Sequence, residues 1–276
     1  MRLVYERISR VAEALREFGR ENVRVLEDLD PQMNTAKMLV SCCSEVASIA
    51  MVANAVVSYV LSMRGEEYWS RYGEWICREQ PRNIAEVIDS VKRFVKLTHR
   101  IAVKAKIARL ERLLRCHNVL SALKTRDLEL VWKTLARCLG TSPDAKTVVF
   151  AVKMFYYTLK ARGVELEIPF TIPIPVDRRV AMMTYLSGIV SGENVFTVKT
   201  LLAKPNIVID AWYQVARLCS IPPLEIDTVL WLFGTYAKLN SIQDIENMVL
   251  SKYGSLFPQA VLKRLVSELF YTLKLR

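Results

Sequence analysis

The sequence has only two histidines, His99 and His117, and its six cysteines (Cys42, Cys43, Cys77, Cys116, Cys138 and Cys219) include no CxxC pair. That scatter lacks the ligand spacing of a zinc or iron–sulfur site, so no metal is expected. No signal peptide is expected either, because Met1 to Arg10 carries charges among its apolar residues. The expectation is an intracellular, cytoplasmic protein with mostly reduced thiols. Glutamine is scarce as well, and a hyperthermophilic protein can keep disulfides inside the cell. Long uncharged runs are rare. Val46 to Met63 approaches the length of a membrane span, but Ser48, Asn54, Ser58 and Ser62 interrupt it and alanine is frequent. A buried central helix of an all-α protein accounts for it better.

What is present is a chain of 276 residues, 52% hydrophobic and 24% charged, long enough for one large domain or two small lobes. Its formal net charge is +11. Such a surplus points to a polyanionic partner, nucleic acid before an acidic membrane, and says nothing about fold.

Helical periodicity dominates. Leu3 to Phe18 alternates apolar and charged positions, and Asp28 to Pro31 breaks the pattern. Asn34 to Met63 reads as a long buried helical region ending at Arg64-Gly65, followed by a polar segment from Glu66 to Arg82. From Asn83 to Leu114 the cations Lys92, Arg93, Lys96, Arg100, Lys104, Lys106, Arg109 and Arg112 are interleaved with apolar residues. That pattern reads first as a solvated helix face, and second as a surface for DNA. Pro169, Pro173 and Pro175 make Val164 to Val176 non-helical, and helices resume at Arg178 and after Pro222-Pro223. The proline strip divides an all-α chain into two lobes with a cleft between them. One lobe spans 34–163. The other combines 1–33 with 164–276, and carries a helical extension from about 236.

Leu139 to Thr147 reads as a helix, a tight hairpin and a second helix beginning near Pro143, with Ser142 as N-cap. Free amides around Gly140, Thr141 and Ser142 suit a DNA phosphate. Lys146 then lies in a first turn, where the positive end of the helix dipole disfavours an ammonium, and where a desolvated lysine can act as a nucleophile. Most first-turn lysines are solvated and inert. Phe150 and Lys153 share the face of Lys146 at i+4 and i+7; Phe150 is either a flat surface for a base or a core residue. Asp177 follows the prolines as an N-cap. It is either a cap alone or a fixed anion that stabilises positive charge developing on a sugar.

A lysine at a helix–hairpin–helix, with an aspartate capping a later helix, resembles the helix-hairpin-helix DNA glycosylases. Lys146 to Phe150, Pro169 to Asp177, and Ile221-Pro222-Pro223-Leu224 continuing through Asp227-Thr228 to Leu230-Trp231 are similar to the archaeal 8-oxoguanine glycosylases, the AGOG family. Asp30-Pro31-Gln32 and Gly65-Glu66-Glu67-Tyr68-Trp69 fit as well. The glycine-rich hairpin of the wider superfamily is replaced by Thr-Ser-Pro-Asp after Gly140.

The resemblance implies a bifunctional glycosylase and lyase in base excision repair. Lys146 would form the Schiff base and Asp177 would assist. Gln32, Trp69, Phe150, Lys153, Asp227 and Trp231 would line the base pocket. It implies a monomer acting on single- or double-stranded DNA with oxidised guanine, inside an archaeal cell at the nucleoid, needing no cofactor and no membrane. Asp227 and Trp231 also fall at i and i+4, so a carboxylate and an indole share one helix face. The competing readings are the same fold with another base preference or mainly abasic-site cleavage, a non-catalytic helical DNA-binding protein, and a helical module that contacts acidic proteins.

Overall fold

The computed structural model describes residues 1–192 and 196–275, which divide into two compact units. One comprises Met1–Glu27 and Pro173–Arg276, the other Asp28–Ile172. The boundaries fall at 27/28 and 172/173, where sequence reasoning put them at 33/34 and 163/164. Both are moved by the chain's stiff punctuation: Asp30-Pro31 starts a helix, and the extended run continues to Pro173 before leaving the unit.

In chain order, α1 (Tyr5–Phe18) and α2 (Arg20–Asp28) come first. Then follow α3 (Pro31–Cys43), α4 (Ala47–Ala55), α5 (Gly65–Glu79), α6 (Ile84–Thr98), α7 (Val103–Leu114), α8 (His117–Ala122), α9 (Leu128–Leu139) and α10 (Lys146–Ala161). After the proline strip come α11 (Arg178–Ser187), α12 (Val198–Ala203), α13 (Pro205–Cys219), α14 (Pro223–Phe233), α15 (Ile242–Tyr253) and α16 (Gln259–Leu269). A two-residue antiparallel ladder pairs Arg2–Leu3 with Val190–Ser191 and is a small addition to an all-α fold.

In the Asp28–Ile172 unit, α10 is the central helix, packed on α3, α4 and α9, and Val148 to Leu159 is buried apart from Phe150. All nine residues of α4 are buried. The helical stretch Pro31–Ala55 is long and apolar enough to cross a membrane, yet 61% of its most apolar window is buried inside the fold, as a core helix requires. The long buried helix expected to reach Met63 stops at Ala55. A 3-10 turn at Ser44–Val46 breaks it, and Val60 has a left-handed φ of 47°. The basic stretch is likewise two helices, parted where Ala102 takes φ 57°.

Two disulfides, Cys42–Cys77 and Cys116–Cys138, correct the expectation of reduced thiols; Cys43 and Cys219 are free. They clip α3 to α5 and the α7–α8 junction to α9. The cysteines of each pair stand 35 and 22 residues apart in sequence, so spacing alone could not match them.

In the other unit, α1 packs on α13 and α16, and Leu262, Leu265, Val266 and Leu269 of α16 are buried. The C-terminal extension is therefore core. Arg7 fastens it: its guanidinium donates to the carbonyls of Ser187 (3.1 Å) and Glu268 (3.0 Å), pairs with the Glu268 carboxylate at 2.7 Å, and lies over the Tyr271 ring. Glu225, fully buried, receives Arg20 at 2.7 Å and Arg24 at 3.5 Å, which joins α2 to α14.

The most constrained charge lies where α3 meets α10. Asp30 is 0% exposed; its Oδ1 accepts the Gln32 amide at 2.9 Å as N-cap, its Oδ2 accepts the Tyr157 hydroxyl at 2.9 Å, and the Lys153 ammonium stands 4.0 Å away. Asp30→Asn keeps the cap and removes the buried negative charge that stands 4.0 Å from the Lys153 ammonium. It is expected to cost about 3–5 kcal/mol of unfolding free energy in denaturant titration. Lys153→Met added to Asp30→Asn should recover part of that loss. Additive losses would show that the two charges are not coupled.

Candidate active site

The hairpin region starts with Gly140 in the left-handed conformation (φ 60°), ending α9. The Gly140 amide donates to the Arg137 carbonyl and the Thr141 amide to the Ala136 carbonyl, each at 3.2 Å. These two amides finish α9, so two of the three backbone donors expected to hold a DNA phosphate at Gly140, Thr141 and Ser142 are already engaged. Ser142 does not cap the next helix either. Its Oγ accepts the Asp144 amide at 3.3 Å, and its carbonyl accepts the Ala145 amide. Helix α10 begins at Lys146 instead of Pro143, because Ala145 is extended (ψ 128°) and Trp132 Nε1 pins the Pro143 carbonyl at 2.7 Å. Lys146 thus occupies the first helical position, half-buried, closer to the dipole's positive end than the sequence suggested.

Helix α7 braces both sides of this hairpin. Arg112 Nη1 donates to the Leu139 carbonyl at 2.9 Å, and Arg109 Nη2 donates to Thr147 Oγ1 at 2.7 Å, one residue past Lys146. Burial draws the Arg109 guanidinium below its ordinary pKa. The basic run is therefore only partly a solvated face. Lys96, Arg100 and Lys104 are exposed as expected, while Lys92 pairs with Glu111 at 3.1 Å and Arg93 pairs with Glu79 and Asp89. Lys106 is wholly buried, with its ammonium against His99 Nδ1 and over the Tyr59 ring. Burial pulls Lys106 down to about 8; burial first and Lys106 second pull His99 to about 4.

Four sequence-predicted pocket residues fall in the Asp28–Ile172 unit. Trp69 and Phe150 meet edge to face with centroids 5.8 Å apart, and the Trp69 carbonyl accepts Thr35 Oγ1 at 3.0 Å. Gln32 and Lys153 are brought together by Asp30: the Gln32 side-chain amide faces the carboxylate that pairs with Lys153. Phe150 is half-buried, whereas Trp69, Gln32 and Lys153 are nearly inaccessible.

The other unit carries Asp177, Asp227 and Trp231. Asp177 caps α11, its Oδ1 accepting the amides of Arg179 at 2.8 Å and Val180 at 2.9 Å. Arg179 Nη1 donates to the Trp231 carbonyl at 2.7 Å, and its guanidinium lies 4.1 Å from the Trp231 ring centroid. Gly234 allows that approach, since a Cβ there would meet Arg179 Cγ at 2.5 Å. Asp227 is buried on α14, one turn before the half-buried Trp231.

Three organising residues escaped the sequence reading. Asp30 had a signal, the Asp-Pro start of a helix. Arg109 and Arg179 had none, because Arg109 is one of several cations in its run and Arg179 directly follows Arg178. Among the described residues, no group of three or more His, Cys, Asp or Glu side chains could hold a metal.

Residues 12–264 match the family described as AGOG: N-glycosylase/DNA lyase. An N-glycosylase/DNA lyase of Pyrobaculum aerophilum is 36% identical over 82% of this chain and 86% of its own length. The N-glycosylase/DNA lyase of Aeropyrum pernix is 31% identical, with 84% of each chain covered. The crystal structure of 8-oxoguanosine-complexed 8-oxoguanine DNA glycosylase from Pyrobaculum aerophilum matches with a TM-score of 0.75 and 32% identity, over 84% of this chain and 89% of that one. With its all-α helix-hairpin-helix fold, the chain belongs to the AGOG family of N-glycosylase/DNA lyases.

Proposed function

We propose that the enzyme excises 8-oxoguanine from DNA through a Schiff base on Lys146, with Asp177 as the electrostatic partner. The observation that carries the choice of nucleophile is the contrast between two lysines of α10. Lys153 is buried and stands 4.0 Å from the Asp30 carboxylate, held inside the fold. Lys146 opens the helix, half-buried, beside a turn braced by Arg109. The choice of base is supported by the 8-oxoguanosine carried by the Pyrobaculum relative.

The damaged nucleotide leaves the stack at a cost of a few kcal/mol. The Lys146 amine, as free base, attacks C1′. The C1′–N9 bond breaks, and its electron pair departs with the base, which takes up a proton. The Asp177 carboxylate offsets the positive charge that grows on the sugar; the amides of Arg179 and Val180 hold it in place beforehand, so little reorganisation is needed. Opening of the sugar ring leaves an imine between C1′ and Nζ. That imine acidifies the C2′ proton, whose removal expels the 3′ phosphate and cuts the strand. Water then hydrolyses the imine and frees Lys146. An amine and a carboxylate suffice, so the reading requires no metal or organic cofactor. It has a monomer acting on chromosomal DNA inside the cell.

For the base, the Asp227 carboxylate is assigned the guanine N1 and N2 hydrogens, and Phe150 and Trp231 its faces. Gln32, Trp69 and Lys153 are assigned the altered N7–C8 edge. Of these, Gln32 and Lys153 are organised by the one Asp30 carboxylate, so they act as a unit.

Borohydride should trap a covalent adduct on a duplex with one 8-oxoguanine, and Lys146→Gln should abolish it with folding intact. An undiminished adduct would move the nucleophile to another lysine. Asp177→Asn retains a cap, so it should bind lesion DNA normally while base release in single turnover falls by about a hundredfold or more. A wild-type rate would reduce Asp177 to a cap. Asp227→Ala should lower the specificity constant for 8-oxoguanine roughly tenfold while abasic-site cleavage persists. Equal losses on both substrates would remove Asp227 from base recognition.

A further inference from the structure

Away from the residues assigned to base excision, a cavity of about 360 Å³ opens where the α7–α8 junction meets α9. Arg115, His117 and Asn118 line one side and Thr134 and Arg137 the other, with the Cys116–Cys138 disulfide between them. No carboxylate is among its lining residues. The nearest acidic residues on the same helices face other partners: Glu111 pairs with Lys92, and Glu129 with Lys133 and Thr171. Among the described residues, the side chains of Arg115, His117 and Asn118 have no hydrogen bond or ion pair. Arg137 uses only Nε, donating to the Lys133 carbonyl at 3.3 Å.

The covalent link explains how two cations come to share this space. Arg115 precedes Cys116, Arg137 precedes Cys138, and the disulfide holds the two backbones with Cα atoms 5.9 Å apart. Both arginines are exposed and stand on these neighbouring segments, and nothing in the lining offsets their charge. A bound anion neutralises it. Planar guanidinium forks fit the oxygens of a phosphate, and the Asn118 amide and His117 ring add donors alongside.

Position strengthens the case. Cys138 lies two residues before Gly140, so the cavity adjoins the hairpin whose first two amides are already engaged in ending α9. A phosphate held near that turn needs side-chain donors, and the cavity supplies them. We propose that this cavity is a phosphate-binding site, with Arg115 and Arg137 as its fork. The site stands whichever base the enzyme removes.

The phosphate can come from a backbone phosphodiester of the DNA or from a free phosphate compound, and one set of measurements separates them. The full chain, oxidised, is compared with Arg115→Gln/Arg137→Gln and with Lys252→Gln/Lys263→Gln, which removes the same charge from α15 and α16. Inorganic phosphate is titrated calorimetrically. Affinity for a duplex with a non-cleavable abasic analogue is measured from 50 to 400 mM KCl. Thermal melts check that each variant is folded. We expect the double-arginine variant to lose phosphate affinity at least tenfold while the lysine control keeps it. If DNA is the source, the slope of log affinity against log salt also falls by about 0.9 for the phosphate no longer neutralised. A lost phosphate titration with an unchanged DNA slope assigns the site to a free phosphate compound. Phosphate affinity unchanged in the arginine variant, or lost equally in the lysine control, overturns the proposal.

Discussion

The Asp28–Ile172 unit depends on one buried anion. A carboxylate with no exposed surface is costly to bury unless every oxygen is engaged. Asp30 meets that condition with the Gln32 amide, the Tyr157 hydroxyl and the Lys153 ammonium. It starts α3 and fixes the face α10 presents to α3 through residues 153 and 157. Lys146 lies seven residues before Lys153, about 10 Å back along the same axis. The pairing that settles Lys153 therefore also sets where the amine of Lys146 stands. An apolar pair at 30 and 153 could fill the same volume, but it would remove the carboxylate that caps α3 and accepts the Tyr157 hydroxyl.

The second constraint is the hairpin, and it is held from outside. A turn that ends one helix with Gly140 and begins the next only at Lys146 has few internal hydrogen bonds. Arg112 takes the carbonyl before it and Arg109 the hydroxyl after it, so two guanidiniums one turn apart on α7 span the loop. Trp132 adds a third tie at Pro143. The six-residue interval tolerates Thr-Ser-Pro-Asp in place of a glycine-rich turn because its shape comes from these side chains. Its own backbone need not supply it.

Most of the helices were legible because burial follows a 3.6-residue period, as in α1 and α9. The proline strip was legible because proline constrains the backbone directly. Legibility ended where tertiary partners override local pattern. Nothing in Ser142-Pro143-Asp144, a good helix start, announces that Trp132 will hold the Pro143 carbonyl outside the helix. Nothing in a basic run separates Lys104, which meets water, from Lys106, which meets His99. The disulfides were hidden for a related reason: Cys42 pairs with Cys77 across two helices, while adjacent Cys43 stays free.

The candidate site was more legible than its supports, and the aspartates show why. Asp30, Asp127 and Asp177 each cap a helix and accept its first amides. The cap is a local event that the sequence announces equally well in all three. What differs is the surrounding structure. Asp127 is exposed and caps α9 alone; Asp30 is sealed against a lysine and a tyrosine. Asp177 lies between, half-buried, with the next residue but one, Arg179, carried onto Trp231. Capping orients a carboxylate without using any side chain to do so, and both backbone donors at Asp177 go to one oxygen, Oδ1. The fold thus makes a rigid anion out of ordinary helix chemistry, and burial decides whether it serves as a peg, a cap or, as proposed for Asp177, a charge aimed at a substrate.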